Sequence, residues 1–383
     1  MTTPQRFDLV VVGASFAGLA CARAAARAGL QVAIVEKKSA SGDKLHTTGI
    51  IVKDAIDTIP WLQQVPAALV RQVDGVRLYS PNLRHVDLHA PGYYFWATDT
   101  PALLDWMCAS VQADGVTLLA GTLFEQAARD SGGWTVSVKS VAPQEPMVLQ
   151  ARYLVGADGP HSRVAKALGL SLNTQFLFGM EHEYGQARLD ANLLHCFIDR
   201  QLAPGYIGWA VAGVGIHQIG LARRMSRSGV SVPAKQDWMA AFMAKIAPHV
   251  DVGDANPLAT RAGMIPCGGV LKRVSDARVM LVGDAAGMVS PVTAGGIHTA
   301  LEHGDAVGGA VAAFLLGGAV DGNDPADPVQ GLVRRYPKFR VKRTLRWLFD
   351  RFQADWIFNL ALDTEPMRQA ARMVYFHRRG KPD

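Results

Sequence analysis

The chain has 383 residues, 49% of them hydrophobic, a formal net charge of +6 and four cysteines. That length can bury a large core in one to three domains. The cysteines (Cys21, Cys108, Cys196, Cys267) show neither metal nor redox spacing and fit a reducing cytoplasm better than a disulfide scaffold, and no uncharged apolar run reaches the about eighteen residues of a membrane span.

In chain order, Asp8 to Val12 reads as a short apolar strand that enters a glycine turn, Gly13-Ala14-Ser15-Phe16-Ala17-Gly18. The strand begins so close to Met1 that no signal peptide is expected. An alanine-rich helix is expected over Leu19 to Ala28 and a second strand over Gln31 to Val35, ending in Glu36. This is a βαβ unit of dinucleotide-binding length. Gly13 permits the tight turn, Gly18 lets the helix approach the strand, and the helix N-terminus offers free N–H groups and a positive dipole end to a pyrophosphate. Glu36 is placed for ribose hydroxyls and disfavours a 2′-phosphate. Ser15 replaces the middle glycine of the motif, and its hydroxyl can itself bond a phosphate.

Further on, Trp134 to Val138 and Met147 to Arg152 read as a small meander. A second glycine signature follows at Leu154-Val155-Gly156-Ala157-Asp158-Gly159. Phe176 to Arg223 alternates and is rich in aromatic and β-branched residues, so antiparallel strands are expected at His195–Ile198, Tyr206–Val211 and Ile216–Leu221. The third signature is Leu281-Val282-Gly283-Asp284-Ala285-Ala286-Gly287, with Pro291 and Ala294-Gly295-Gly296-Ile297 after it. Val307 to Val320 then reads as a buried helix. Three such signatures in this order point to a flavoprotein that holds FAD extended.

Tyr153 to Val164 and Arg278 to Ile297 resemble segments of the p-hydroxybenzoate-hydroxylase-like flavoproteins. The resemblance is nearest to the geranylgeranyl reductase family, because Gly287 stands where aromatic hydroxylases carry a histidine. Ala203-Pro204-Gly205-Tyr206-Ile207-Gly208-Trp209 also resembles that branch's element over the substrate cavity. The fold implied is α/β: a Rossmann-like, glutathione-reductase-type FAD domain assembled from discontinuous segments (1–80, 98–175, 260–330). An antiparallel-sheet substrate domain (81–97, 176–259) is inserted, and a basic amphipathic helical segment (331–383) follows. In the resemblance Asp284 bonds a ribityl hydroxyl, and Gly295, Gly296 and Ile297 lie against the pyrimidine side of the flavin. Asp158 and Thr48 complete the expected cofactor contacts. Three departures stand out: His46 near the position of a cysteine in relatives, Asp99-Thr100-Pro101 without the usual arginine, and the spacing of the Tyr-Trp element.

The implied activity is NAD(P)H-driven reduction of carbon–carbon double bonds in an apolar substrate, an isoprenoid being the candidate, with NADPH or NADH docking transiently. A flavin-dependent monooxygenase and a non-redox cyclase or isomerase are the alternatives. His46 is the candidate proton donor, or else a structural histidine. Tyr206 and Trp209 either line the cavity or are sheet core. Lys37 and Lys44 either neutralise the pyrophosphate or are solvated loop lysines. His298 and His303 read as structural, and no residue cluster has metal-ligand spacing.

From Arg334 to Asp383 there are thirteen Lys/Arg and five Asp/Glu, a net of +8, which leaves −2 for the rest of the +6 chain. Val341, Leu345, Leu348, Phe352 and Trp356 recur at helical intervals. This segment either contacts a membrane surface or packs its stripe on the body. No nucleic-acid motif accompanies it. Oligomeric state is not legible.

Overall fold

The structure is a computed structural model and describes residues 4–40, 42, 43, 45, 47–143, 145–225, 237–290, 293, 295–317 and 355–376. The first sheet runs Ser275–Asp276, Val279–Leu281, Pro146–Gly156, Gln5–Val12, Val32–Val35 and Thr117–Leu119, with Trp134–Ser140 and Thr122–Arg129 joined to one side. Gln5–Val12 pairs in parallel with both Pro146–Gly156 and Val32–Val35. Leu9, Val10, Val11 and Val12 are all buried, as a parallel strand covered on both faces requires. The meander at Trp134–Ser140 is present, but its partner runs on to Gly156. Tyr153 to Gly156 are buried and carry the second glycine signature up beside the first.

The first helix spans Phe16–Arg27, and the helix after the third signature spans Ile297–Leu316. The latter begins ten residues before Val307, because Gly296 caps its start. The two helices pack closely through glycines spaced one turn apart. A Cβ on Gly304 would stand 2.2 Å from the Ala17 oxygen, and one on Gly308 2.1 Å from the Cys21 oxygen. Thr100–Ala113 is a third flanking helix. Asp99 caps it by accepting from Ala102 N at 3.2 Å, which accounts for an acid at that position.

The second sheet has seven strands in the order Ala259–Pro266, Phe176–Tyr184, His217–Arg224, Ile207–Ala212, Leu193–Ile198, Gly75–Tyr79 and His85–Leu88. The three strands expected in the insertion are there, shifted by a residue or two. Sheet pairings cross the expected boundaries at 80/81 and 259/260. Gly75–Tyr79 belongs to this sheet because it pairs in parallel with Leu193–Ile198, and Ala259–Pro266 because it pairs along the whole of Phe176–Tyr184. One face buries Tyr79, Phe197 and Leu221 under the helix Trp238–Ile246, whose Phe242 fills the space above Gly208. The opposite face carries Leu177, Glu181, Trp209 and Ala222 toward the first domain. A three-stranded sheet, Ile50–Val52, Phe95–Thr98 and Val70–Val73, links the two.

At the C-terminal end, helices Asp355–Ala361 and Glu365–Tyr375 dock on the second sheet. Leu362 and Phe376 are buried in the cluster that holds Cys196, Ile198 and Val211. Of the expected amphipathic stripe, Val341, Leu345, Leu348 and Phe352 lie outside the described residues. Trp356 is described and is 67% exposed, so it does not pack on the body.

Candidate functional site

The three glycine signatures converge. Gly13 has φ +108°, and a Cβ there would stand 2.4 Å from the Ala157 oxygen of the second signature. Gly18 allows no Cβ either, since its own would meet the Gly13 oxygen at 2.0 Å. Gly283 of the third signature, at φ +59°, would place a Cβ 2.9 Å from Ala17 Cβ. Glycine is required at Gly13 and Gly18 because backbones meet there, and at Gly283 by its positive φ and the Ala17 methyl; together they leave a cradle that side chains would fill.

Ser15 caps the first helix: its Oγ accepts from Gly18 N at 3.3 Å and donates to Ala157 O at 3.1 Å. A bond from this hydroxyl to a phosphate would require giving up that donation. The first-turn N–H groups at Phe16 and Ala17 have no intrahelical acceptor and face the helix N-terminus. Glu36 stands at the end of the second strand as expected. Its carboxylate accepts from Ala14 N at 2.7 Å and from Lys38 N at 2.9 Å, so it fixes the glycine turn before any ligand arrives. Lys37 is exposed, whereas Lys38 is half-buried beside Glu36, with a pKa lowered by burial. Lys44 and His46 lie outside the described residues.

Asp158 spends its carboxylate on its own loop, accepting from Ser162 Oγ at 2.6 Å, Arg163 N at 2.6 Å and Val164 N at 3.1 Å. The sequence reading missed Asn173. Its Nδ2 donates to Pro160 O and to Asp284 O and ties the second signature to the third. Asp284 itself is half-buried, and burial pushes its carboxyl up to about 6. Its Oδ1 lies 3.5 Å from where a Cβ on Gly296 would be, at the start of the Ile297–Leu316 helix. A carboxylate lifted by burial alone and set beside a helix N-terminus is an acceptor fit for a polyol hydroxyl. Gly295 and Gly296 form the turn into that helix. Ser290 N bonds Gly295 O at 3.0 Å, and Thr299 Oγ1 bonds Met288 O at 2.7 Å. Gly287 takes φ +71°, and its Cβ would meet the Gly269 oxygen at 2.4 Å. Backbone geometry therefore excludes a histidine there, not chemistry alone. His298 pairs with Glu302 at 2.8 Å and His303 is wholly buried, both in structural settings.

The second sheet roofs this cradle, and Tyr206 joins the two: its hydroxyl donates to Thr293 O in the loop leading to Gly295. Tyr206, Trp209 and Ile265 pack around buried Leu177, Ala222 and Cys267, an apolar wall over the turn. Trp209 Nε1 donates to Glu181 at 2.8 Å, and Thr48 Oγ1 donates to the same carboxylate. The buried acids Glu181 and Glu183 escaped the sequence reading. Their signal was two carboxylates at alternating positions within an apolar strand, FLFGMEHEY. Tyr206→Phe removes one of the bonds between the roof and the cradle. We expect it to lower stability by about 1 kcal/mol, read as a fall in the thermal midpoint of the FAD-loaded protein.

Residues 6–323 match the FAD binding domain family. The chain belongs to that family. It is an FAD-dependent oxidoreductase, and the cradle described above fits the cofactor. It is 28% identical over 331 residues to digeranylgeranylglycerophospholipid reductase 3 of Methanosphaera stadtmanae, covering 82% of this chain and 78% of the relative. It is 27% identical to the digeranylgeranylglycerophospholipid reductase of Methanothrix thermoacetophila, covering 88% and 83%. Its fold is that of a geranylgeranyl bacteriochlorophyll reductase-like protein from Thermoplasma acidophilum, with a TM-score of 0.82 at 17% identity over 98% of both chains. A flavin-dependent brominase shares the fold at a TM-score of 0.73 and 14% identity over 97% of this chain and 94% of that one. The resemblance to p-hydroxybenzoate-hydroxylase-like flavoproteins of the geranylgeranyl reductase type thus holds. Among the described residues no helix is long and apolar enough to cross a membrane.

Proposed function

We propose that this flavoenzyme saturates carbon–carbon double bonds in an isoprenoid lipid chain, with NADPH or NADH as electron donor. The observation that carries the reading is the partly exposed apolar wall of Tyr206, Trp209 and Ile265, backed by buried Leu177 and Ala222 and tied by Tyr206 to the loop before Gly295. A long hydrocarbon has no polar groups to recognise, so such a wall binds it by burial at about 25 cal/mol per Å². The named relatives act on lipids of this chemistry.

Bound FAD supplies the two-electron redox chemistry. The chain's own residues bind it, orient it and exclude water. The N–H groups of Phe16 and Ala17 would hold the pyrophosphate, with Ser15 as cap and Gly13 and Gly18 giving room. Glu36 would bond the adenosine ribose, Asp284 would accept from the ribityl chain, and Gly295, Gly296 and Ile297 would offer N–H groups to the ring. Asp158 holds its loop in place beside them, and Thr48 stands at the cavity wall. Lys37 is exposed, and Lys44 and His46 lie outside the described residues; from the sequence, the lysines stay candidates for neutralising the pyrophosphate and His46 the candidate proton donor. The backbone strain at Gly287 leaves no place for the histidine of aromatic hydroxylases, which weighs against the monooxygenase reading.

The test is anaerobic. FAD-loaded protein is bleached with NADPH and, separately, with NADH, and then mixed with a geranylgeranylated lipid. The flavin absorbance should return with the lipid and not without it. Return only on admitting oxygen would contradict the proposal.

We also propose that the C-terminal segment meets a lipid surface. Trp356 and Leu360, one turn apart, are 67% and 72% exposed, and the net +8 from Arg334 to Asp383 would favour anionic headgroups. Trp356→Ala with Leu360→Ala should weaken sedimentation with anionic liposomes by about tenfold. Undiminished binding removes the idea.

A further inference from the structure

On the wall facing the flavin domain, the two-residue period of Phe176–Tyr184 presents Leu177, Gly179, Glu181 and Glu183. Two carboxylates on an apolar face are costly to bury unless each is satisfied. Glu183 is paired with Arg261, which also donates to Thr47 O at 3.2 Å. Glu181, only 4% exposed, is bonded to the site itself. Its Oε2 accepts from Thr48 Oγ1 and, at 2.8 Å, from Trp209 Nε1. Its Oε1 faces Gln218 Nε2 at 3.4 Å, and the same amide donates to Thr48 O at 3.1 Å. Beneath the indole is Gly220, where a Cβ would stand 2.5 Å from Trp209 Cζ2. Gly220 therefore gives the ring room to lie over the sheet, and Glu181 fixes its rotation about that contact.

We infer that Glu181 is a positioning residue of the cavity: it bonds Thr48 on the flavin-domain side to Trp209 on the roof, and so sets the indole face presented to substrate. The role rests on the reductase reading for what Trp209 contacts, but the bond geometry stands without it. The loop before Ile50–Val52 meets the roof through this carboxylate, alongside the Gln218 and Arg261 bonds to the Thr48 and Thr47 carbonyls. Removing Glu181 takes away the one carboxylate that holds both the Thr48 side chain and the indole, whereas removing an ordinary core contact would loosen only the sheet.

The experiment uses the full-length FAD-loaded protein and the variants Glu181→Leu, Glu181→Gln and Thr48→Val, and needs no lipid substrate. Amide hydrogen exchange over Thr47–Val52 should quicken about tenfold or more in Glu181→Leu, as expected for loss of bonds to a buried charged acceptor. The visible flavin absorbance band should shift in the same variant. Glu181→Gln keeps an acceptor oxygen and should restore both to near the parent. Exchange in the Trp238–Ile246 helix, on the far face of the sheet, should not change in either. Thr48→Val leaves Glu181 on Trp209 and should reproduce the local exchange, which decides the matter if Glu181→Leu does not fold. Exchange over Thr47–Val52 at the parent rate in the folded variants overturns the role. So does a glutamine variant as disturbed as the leucine one. Because both readouts are taken without lipid, a failed reductase assay would leave this result standing, and the reverse.

Discussion

Gly13→Ala will purify without FAD. The residue has φ +108°, where an L side chain is strained by about 1–2 kcal/mol, and the added methyl would stand 2.4 Å from the Ala157 oxygen. Backbone on backbone cannot yield by a rotamer change, so the second signature must move away from the first. The total cost is on the order of 3–5 kcal/mol, a loss of more than about a hundredfold in affinity if it falls on the bound form. Gly29→Ala is the control, with φ +102° and nothing within 4 Å of the new methyl. It carries the strain without the collision, and should lower stability by about 1–2 kcal/mol while keeping FAD. The flavin-to-protein ratio measures both. Full occupancy in Gly13→Ala would mean that the close meeting of the two signatures is not needed for the cofactor.

Asp284→Ala should weaken FAD binding and strengthen the FAD-free protein. Burial raises its carboxyl to about 6, so the folded state holds that proton more tightly than the unfolded one. The stability it contributes is complete below the ordinary carboxylate range and is lost as pH rises through about 6. Above that pH the folded apoprotein carries a poorly solvated charge, and removing it should gain on the order of 1–2 kcal/mol. The parent's apoprotein stability should fall between about pH 4 and pH 6, by more than the variant's. With FAD the sign reverses, because a charge-assisted hydrogen bond to a hydroxyl is lost, and affinity should drop about 10- to 100-fold. Denaturant melts across pH, with and without FAD, separate the two effects. A variant that binds FAD as the parent does would remove Asp284 from the ribityl site.

The opposite signs show why the glycine motifs were legible in the sequence and the cavity was not. Gly13 and Gly18 occur where backbones touch and Gly283 where the chain takes a positive φ against the Ala17 methyl, so short-range sequence reports them directly. The apolar strand of Leu9 to Val12, the helix after it and Glu36 follow from local period in the same way. The domain boundaries were not local. Gly75–Tyr79 joins the roof only through parallel pairing with Leu193–Ile198, more than a hundred residues later, and nothing in its own five residues says so. Glu181 escaped for the same reason: its partners, Thr48 and Trp209, come from opposite sides of the cavity. Ser15 and Asp158 were legible as positions, while their hydrogen bonds to neighbouring loops became visible only with the fold. Trp356 fitted a helical stripe in sequence, and its exposure depends on how the last two helices dock.

The most direct measurement is the mass of the product. The FAD-loaded enzyme is incubated with NADPH or NADH and a geranylgeranylated lipid, once without oxygen and once under labelled oxygen, and the lipid is recovered. A reductase on this scaffold gives the same product in both, heavier by two hydrogens for each double bond and free of label, with one nicotinamide consumed per bond. A product that forms only in oxygen and carries the label would contradict the account and make the enzyme a monooxygenase.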